Sequence, residues 1–476
     1  MVVEDMLSLS KSILSLSKDG KKIAVIGMAR TGLAVAEVMK ELGAQVVLYD
    51  KKPASELAEA IAYASALGVE ARPGTDNVDL SGTDLIVTSP GVPATMPVFA
   101  EAREQGIEVI SEIELAYRLA KAPIIAITGT NGKTTTTVLT GRMFQSDGRD
   151  TYIAGNVVAG DIRMPLVLAA HKATAESVIV AEISTFQLEW IQSFRPKVAM
   201  LLNVTSDHMD RHGSVAEYAR LKARVFENQI AEDFAVINAE NPFTSSLAPN
   251  LAGRVLQFAR KTEVDQGGFV RGDDLIVRLG AEEIVICKRS DIPLRGEHNI
   301  ENVLAAACAA IALGVKPESI LKAVREMKPV EHRLESVAVV DGVEYVNNSM
   351  CTNVDAVVRS IDAINEPQIV IAGGKAKGEG EDYSPVGEAL KRRAKHLVLI
   401  GADKALIRAG AEKAGFTAIS DASSMRDALE ISRGLAEPGD VVVLTPGLAS
   451  FDMFDNFEHR GRVFKEIVHE MERGGR

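Results

Sequence analysis

Residues 125–137 read IAITGTNGKTTTT, an apolar run that enters a glycine loop and continues into a threonine-rich segment. The apolar run predicts a buried strand, and the segment that starts at Lys133 predicts a helix. A helix that follows such a loop directs backbone N–H groups and the positive end of its dipole at an anion. Lys133 would reach the terminal phosphates of a nucleotide, and Thr134 would place a hydroxyl on Mg²⁺. The stretch therefore predicts a nucleotide-phosphate site.

This loop departs from the common pattern GxxxxGK[ST], because Ile127 occupies the position of the first glycine. A bare GKT is a weak signal, so the strand before it and the helix after it carry the prediction. The residues expected at the phosphates share the loop and the first helical turn. They are Gly129, Thr130, Asn131, Gly132, Lys133, Thr134 and Thr135.

The alternation of strand and helix patterns on both sides of the loop predicts an α/β protein with parallel sheets. The chain has 476 residues, too many for one hydrophobic core. We place boundaries near Ser111 and Pro329, which gives three domains, 1–111, 112–329 and 330–476. The first and third are expected to be Rossmann-like and the second to resemble a P-loop ATPase. Short alternating runs in residues 255–294 predict a small antiparallel appendage on the second domain.

Composition excludes several classes of protein. The net charge of −12 argues against sequence-independent nucleic-acid binding, which needs clustered cations. Three scattered cysteines give no disulfide or zinc signal. No apolar run approaches the roughly 20 residues that span a bilayer, so no membrane insertion is expected. Residues 1–20 could form an amphipathic leader, but we favour a frayed extension and a cytoplasmic location.

Two segments downstream of the loop fit a magnesium site. Residues 182–189 (EISTFQLE) and 203–212 (NVTSDHMDRH) each follow a predicted strand. Ligands bind beyond the carboxyl ends of strands in open α/β sheets, and Mg²⁺ prefers oxygen ligands. Glu182 and His208 are the candidates. Alone, Glu182 could equally be a helix-capping partner and His208 a surface-loop histidine.

The N-terminal region carries a weak dinucleotide fingerprint. Residues 27–32 read GMARTG after a predicted strand, and Asp50 ends the next strand. Ala29 replaces the middle glycine of GxGxxG, so a dehydrogenase is not favoured.

The form TGTNGKT at 128–134 resembles the loop of the Mur ligases and of the folylpolyglutamate synthetases. Together with 182–189 and 203–212, it resembles the Mur ligase family. The segments look most like those of the branch that adds glutamate to UDP-N-acetylmuramoyl-L-alanine in peptidoglycan synthesis. The resemblance implies ATP as co-substrate, two Mg²⁺ ions and an acyl-phosphate intermediate. It also implies a monomer, with the nucleotide sugar and glutamate as its small-molecule partners.

The resemblance also assigns residues to roles. Lys133, His208 and Lys222 would be catalytic, with Lys222 carrying a carbamate. Thr134, Glu182, His208 and Lys222 would serve the metal ions. Asn299, Asn302 and Arg333 would add contacts to ATP. The nucleotide sugar would meet Arg30, Thr31, Asp50, Lys51, Ser89, Gly91 and Asn156. Glutamate would meet Thr352, Lys377, Ser450, Phe451 and Phe457.

One segment departs from the family. The family usually reads NDSKATN where residues 347–353 read NNSMCTN, so an acid has become Asn348 and a base Met350. Two alternatives stay open. The chain could be another amide ligase of the family, with L-glutamate or a different amino acid as substrate. It could also be a weakly active nucleotide-binding paralogue.

Overall fold

The computed structural model of the protein describes residues 20–205, 214–378 and 380–474. Three sheets with helices packed on their faces follow one another along the chain, with five, nine and six strands. The predicted α/β class with parallel sheets in three domains is confirmed. Within the described residues, no helix is long and apolar enough to cross a bilayer.

The first sheet is wholly parallel and has the strand order β3-β2-β1-β4-β5. Its strands are β1 (Lys22–Ile26), β2 (Gln45–Asp50), β3 (Glu70–Pro73), β4 (Thr83–Thr88) and β5 (Glu108–Ser111). The helices between them are α1 (Arg30–Glu41), α2 (Ala58–Ala66), α3 (Pro97–Glu104) and α4 (Glu112–Leu119).

The central sheet is parallel over its first strands. These are β6 (Ile124–Thr128), β7 (Thr151–Gly155), β8 (Val178–Glu182), β9 (Val198–Leu201), β10 (Phe234–Asn238) and β11 (Arg254–Phe258). The helices are α5 (Lys133–Ser146), α6 (Leu166–Lys172), α7 (Thr185–Leu188), α8 (Val215–Ala223), α9 (Pro242–Leu247), α10 (His298–Ala312) and α11 (Pro317–Arg325). Alanines of α10 pack against the sheet with no exposed surface, which brings the helix close to α5.

The antiparallel unit predicted at 255–294 is present, but it continues the central sheet. Strand β12 (Gly267–Arg271) pairs in parallel with β11. Strands β13 (Asp274–Leu279) and β14 (Glu282–Lys288) then add by antiparallel pairing. The nine-stranded order is therefore β14-β13-β12-β11-β10-β9-β6-β8-β7.

The third sheet has the order β15-β16-β20-β17-β18-β19, and only β15 is antiparallel. Its strands are β15 (Glu335–Val340), β16 (Val343–Asn347), β17 (Gln368–Gly373), β18 (Ala394–Ile400), β19 (Ile419–Asp421) and β20 (Val441–Gly447). Its helices are α12 (Val354–Asp362), α13 (Ser384–Arg393), α14 (Lys404–Lys413), α15 (Met425–Leu435) and α16 (Phe457–Glu472).

Candidate active site

The phosphate loop is tied to the segment that follows β9. Asn203 accepts a hydrogen bond from the Asn131 backbone N–H at 2.8 Å and donates one to the Asn131 carbonyl at 3.1 Å. The Thr130 hydroxyl donates to the Thr205 carbonyl at 3.2 Å and accepts from its N–H at 3.0 Å. These bonds tie the loop at Thr130 and Asn131 to the segment after β9, so polar groups of the loop have fixed partners.

Helix α5 begins at Lys133, directly after Gly132 in the left-handed conformation with φ of 84°. A Cβ at position 132 would overlap Asn302 Oδ1, so only glycine allows α10 to approach the loop this closely. Asn302 accepts from the Thr136 hydroxyl at 3.2 Å and donates to Asn299 at 2.9 Å. The two asparagines expected near the nucleotide therefore lie together at the start of α10 and against the phosphate loop.

Thr134 and Glu182 meet at the end of β8. The Thr134 hydroxyl donates to Glu182 Oε2 at 2.7 Å, and both side chains are only 3% exposed. The other carboxylate oxygen, Oε1, accepts from Asn156 at 3.1 Å. Arg333 of the third domain donates to the Thr134 hydroxyl at 3.1 Å. Burial lowers the pKa of Arg333, and the Glu182 carboxylate opposes that shift.

Two lysine amines converge on the carbonyl of Gly129. Lys222 reaches it at 2.8 Å and Lys133 at 3.0 Å. Lys222 is 2% exposed, and its amine also lies 4.3 Å from the centre of the Tyr218 ring. Two like charges this close disfavour each other, and converting one to an anionic carbamate would remove the repulsion.

A metal ion would find two hard oxygen donors here, the Thr134 hydroxyl and the Glu182 carboxylate, which suits Mg²⁺. Among the described residues, no three His, Cys, Asp or Glu side chains converge as a metal site. Phosphate oxygens and water would therefore complete the coordination, as is usual for Mg²⁺. His208, the other expected ligand, lies outside the described residues.

The third domain also contacts the loop itself. The Asn131 side-chain amide donates to Asp355 Oδ2 at 2.7 Å and accepts from Asn353 at 3.4 Å. Asp355 also pairs with Arg359, which reaches Glu301 on α10 at 3.5 Å. The two domains are therefore docked around the phosphate loop in this structure.

A cleft of about 410 Å³ lies between the second and third domains. Its lining includes the loop, Glu182 and Arg333, together with Thr352, Lys377 and Phe457. The Lys377 amine donates to the Thr352 hydroxyl at 3.0 Å. The other two residues expected to meet glutamate differ in exposure, since Ser450 is buried and Phe451 is 74% exposed.

The lining of the cleft also includes His298, Leu294, Pro329 and Val330. Burial, with nearby arginines, lowers the pKa of His298 to about 4, so the ring is neutral at pH 7. A neutral imidazole carries no charge to attract a phosphate, so His298 suits a nucleotide base better.

The residues expected to bind the nucleotide sugar lie mostly at the carboxyl edge of the first sheet. Asp50 accepts from the Met28 N–H at 2.8 Å and from the Lys52 N–H at 3.0 Å, which links the ends of β1 and β2. Arg30 and Thr31 begin α1, Ser89 and Gly91 follow β4, and Lys51 follows β2. Asn156 lies apart from them, in the cleft beside Glu182.

Sequence reasoning missed Asn203, His298, Asn353 and Asp355. The first two stand next to motifs that had been recognised, at the end of a strand and the start of a helix, so their places could have been inferred. Asn353 and Asp355 reach the loop only because two domains dock, and no local pattern signals that contact.

Three family models match the chain in order. The Mur ligase MurD-like N-terminal domain matches residues 21–111, the Mur ligase middle domain 127–310 and the Mur ligase glutamate ligase domain 332–448. The chain belongs to the Mur ligase family. Its relatives include the UDP-N-acetylmuramoylalanine--D-glutamate ligase of Pelotomaculum thermopropionicum, 44% identical over 95% of this chain and 98% of that one. The enzyme of the same name from Koribacter versatilis is 43% identical over 95% of this chain and 98% of its own.

Solved structures of Mur ligases share the fold. MurF from Acinetobacter baumannii has a TM-score of 0.62 at 16% identity, covering 96% of this chain and 98% of that one. The UDP-N-acetylmuramate-alanine ligase MurC from Thermotoga maritima has a TM-score of 0.60 at 17% identity, covering 94% and 99%.

Proposed function

We propose that this Mur ligase joins D-glutamate to UDP-N-acetylmuramoyl-L-alanine at the expense of ATP, in peptidoglycan precursor synthesis. The observation that carries the proposal is the pairing of Thr134 with Glu182, with Arg333 of the third domain on the same hydroxyl. The choice of D-glutamate rests on the names of relatives 43% and 44% identical over nearly the full chain. ATP and nucleotide sugars are found in the cytoplasm, so we expect the protein to act there.

In the first chemical step the substrate carboxylate attacks the γ-phosphate of ATP, giving an acyl phosphate and ADP. Lys133 and Arg333 supply positive charge that screens the approach of two anions. Mg²⁺, held by Thr134 and Glu182, would neutralise the charge on the phosphate oxygens. The hydrogen bonds of Asn203 hold the loop, which keeps these donors aimed without reorganisation.

In the second step the amine of glutamate attacks the acyl phosphate, and the tetrahedral intermediate collapses to the amide and phosphate. Thr352 and Lys377 line the same cleft as the phosphate loop, where the amino acid would enter. We propose that Lys377 holds a carboxylate of glutamate and that Ser450, Phe451 and Phe457 bound its side chain. The same proposal includes a carbamate on Lys222 and a second Mg²⁺ ion that His208 would help to bind.

The test is a phosphate-release assay with ATP, the nucleotide sugar and a panel of amino acids. The panel includes both stereoisomers of glutamate, and mass spectrometry identifies the product. Release that requires both partners and is greatest with D-glutamate supports the proposal. Release with another amino acid would point to a different ligase of the family. ATP binding without any amide product would point to a nucleotide-binding paralogue. That alternative is raised by Met350, which stands where the family usually has a base.

A further inference from the structure

The segment that leads from the second domain into the third contains a backbone conformation that non-glycine residues rarely adopt. His332 has φ of 66° and Leu334 has φ of 43°, both in the left-handed region. Within the described chain, Asp341 is the one other non-glycine residue with positive φ, at 54°. Such conformations are costly for branched or bulky side chains and persist only where the surroundings enforce them. Because these conformations flank Arg333 on both sides, we expect contacts from elsewhere in the chain to enforce them.

Hydrogen bonds from the end of β16 and the residues after it hold this backbone in place. The Leu334 N–H donates to Asn348 Oδ1 at 3.2 Å, and the Met350 N–H donates to the His332 carbonyl at 3.2 Å. The Asn347 amide donates to His332 Nδ1 at 2.9 Å. These bonds reach both strained residues, so residues 347–350 hold the turn formed by residues 332–334.

Packing holds the His332 ring as well. The residue is 4% exposed, and a Cβ at Gly461 on α16 would overlap its Nδ1 atom. Burial lowers the pKa of His332, which keeps the ring neutral and leaves Nδ1 free to accept from Asn347. The ring therefore acts as an anchor for the turn.

Between the two strained residues stands Arg333, which crosses to the second domain and donates to the Thr134 hydroxyl. We propose that His332 and Leu334 are positioning residues, whose enforced left-handed backbone aims Arg333 at the phosphate site. The inference rests on the proposed function, since it takes the Thr134 site to be where ATP is held. Asn348 then serves the nucleotide indirectly, as the acceptor that keeps Leu334 strained.

Rescue by glycine tests this mechanism. Asn348→Ala removes the acceptor, so Leu334 can relax and Arg333 swings away. We expect the KM for ATP to rise on the order of tenfold, the equilibrium factor that strain at one such residue represents. Adding Leu334→Gly should restore much of the loss, because glycine adopts positive φ without enforcement. Asn348→Asp, which retains an acceptor oxygen, should lose less than Asn348→Ala.

Asp341→Gly is the matched control in the Asn348→Ala background. It makes the same relief of positive φ in the β15–β16 turn, away from the cleft, and should restore nothing. Thermal unfolding of each variant separates an effect on stability from an effect on positioning. A merely structural role would change the unfolding temperature, but Leu334→Gly would not then restore the KM for ATP. No rescue by Leu334→Gly, or equal rescue by Asp341→Gly, overturns the proposal.

If Asn348→Ala does not fold, Leu334→Gly alone decides. Its affinity for a non-hydrolysable MgATP analogue should be at least that of the parent, because the aimed state no longer carries strain; weaker binding overturns the proposal. An enzyme that forms the amide yet shows no rescue contradicts only the positioning role. A parent protein that fails to bind the analogue contradicts the proposed function itself.

Discussion

The hydroxyl of Thr134 and the carboxylate of Glu182 are 2.7 Å apart, although 48 residues separate them in the chain. Thr134 is the second residue of α5, the helix after the phosphate loop, and Glu182 ends the neighbouring strand β8. The parallel pairing of β6 with β8 places both at the same edge of the sheet, where ligands bind in such folds.

Replacement of Thr134 by alanine should lower the turnover number on the order of 100-fold, the scale of losing one preorganised polar contact at a transferring phosphoryl group. Thr134→Ser keeps the hydroxyl and should retain most activity. Phosphate release at saturating substrates measures both. Equal loss in the two variants would show that the hydroxyl is not the functional group.

Removal of dissolved CO₂ should lower activity, and added bicarbonate should restore it, if Lys222 carries a carbamate. Lys222→Ala should be inactive and should not respond to bicarbonate. A carbonyl resonance from ¹³C-labelled bicarbonate, present in the parent and absent from the variant, gives a direct readout. Lys197, a partly exposed lysine of the same domain, provides the control as Lys197→Ala. Activity independent of CO₂ would contradict the carbamate.

Loss of the Asp355 carboxylate should loosen the docking of the third domain on the phosphate loop. Asp355→Ala removes the partner of Asn131 and of Arg359, so we expect a larger radius of gyration by X-ray scattering and a severalfold higher KM for ATP. Asp362→Ala on the same helix removes an exposed ion pair with Arg392 and should change neither. Identical scattering from all three proteins would show that Asp355 does not hold the domains together.

Glu112 should make stability fall as pH rises. Burial raises its pKa from 4.5 to about 7, so the folded protein keeps a proton that the unfolded chain releases between those values. Stability is therefore greatest below pH 4.5 in this respect and is lost progressively up to about pH 7, by about 3 kcal/mol.

The measurement compares Glu112→Gln with the parent by thermal unfolding at several pH values. Glutamine can still accept from the Val167 N–H, which Glu112 does at 2.7 Å. The stability of the variant relative to the parent should increase from pH 5 to pH 8. A difference that does not depend on pH would mean that the carboxyl does not titrate in this range.

The sequence predicts best what local pattern determines. Glu182 was expected at the end of a strand and ends β8, and the helix expected from Lys133 begins there, since a glycine loop and a threonine run are local signals. Contacts made by domain docking could not be foreseen. Asn131 meets Asp355 across 224 residues, and the left-handed turn around Arg333 arises from bonds that residues 347–350 make.

The antiparallel strands β12 to β14 have a consequence for solubility. A parallel sheet that stopped at β11 would present unpaired backbone groups, a template on which other chains could assemble. Here the exposed margin is β14, and Arg271 and Arg278 bind its Glu283. Their guanidinium groups lower the pKa of Glu283 to about 2, so this carboxylate stays ionised at any physiological pH. The hairpin thus places a permanently charged residue on the β14 edge of the central sheet, which opposes pairing with other chains at that edge.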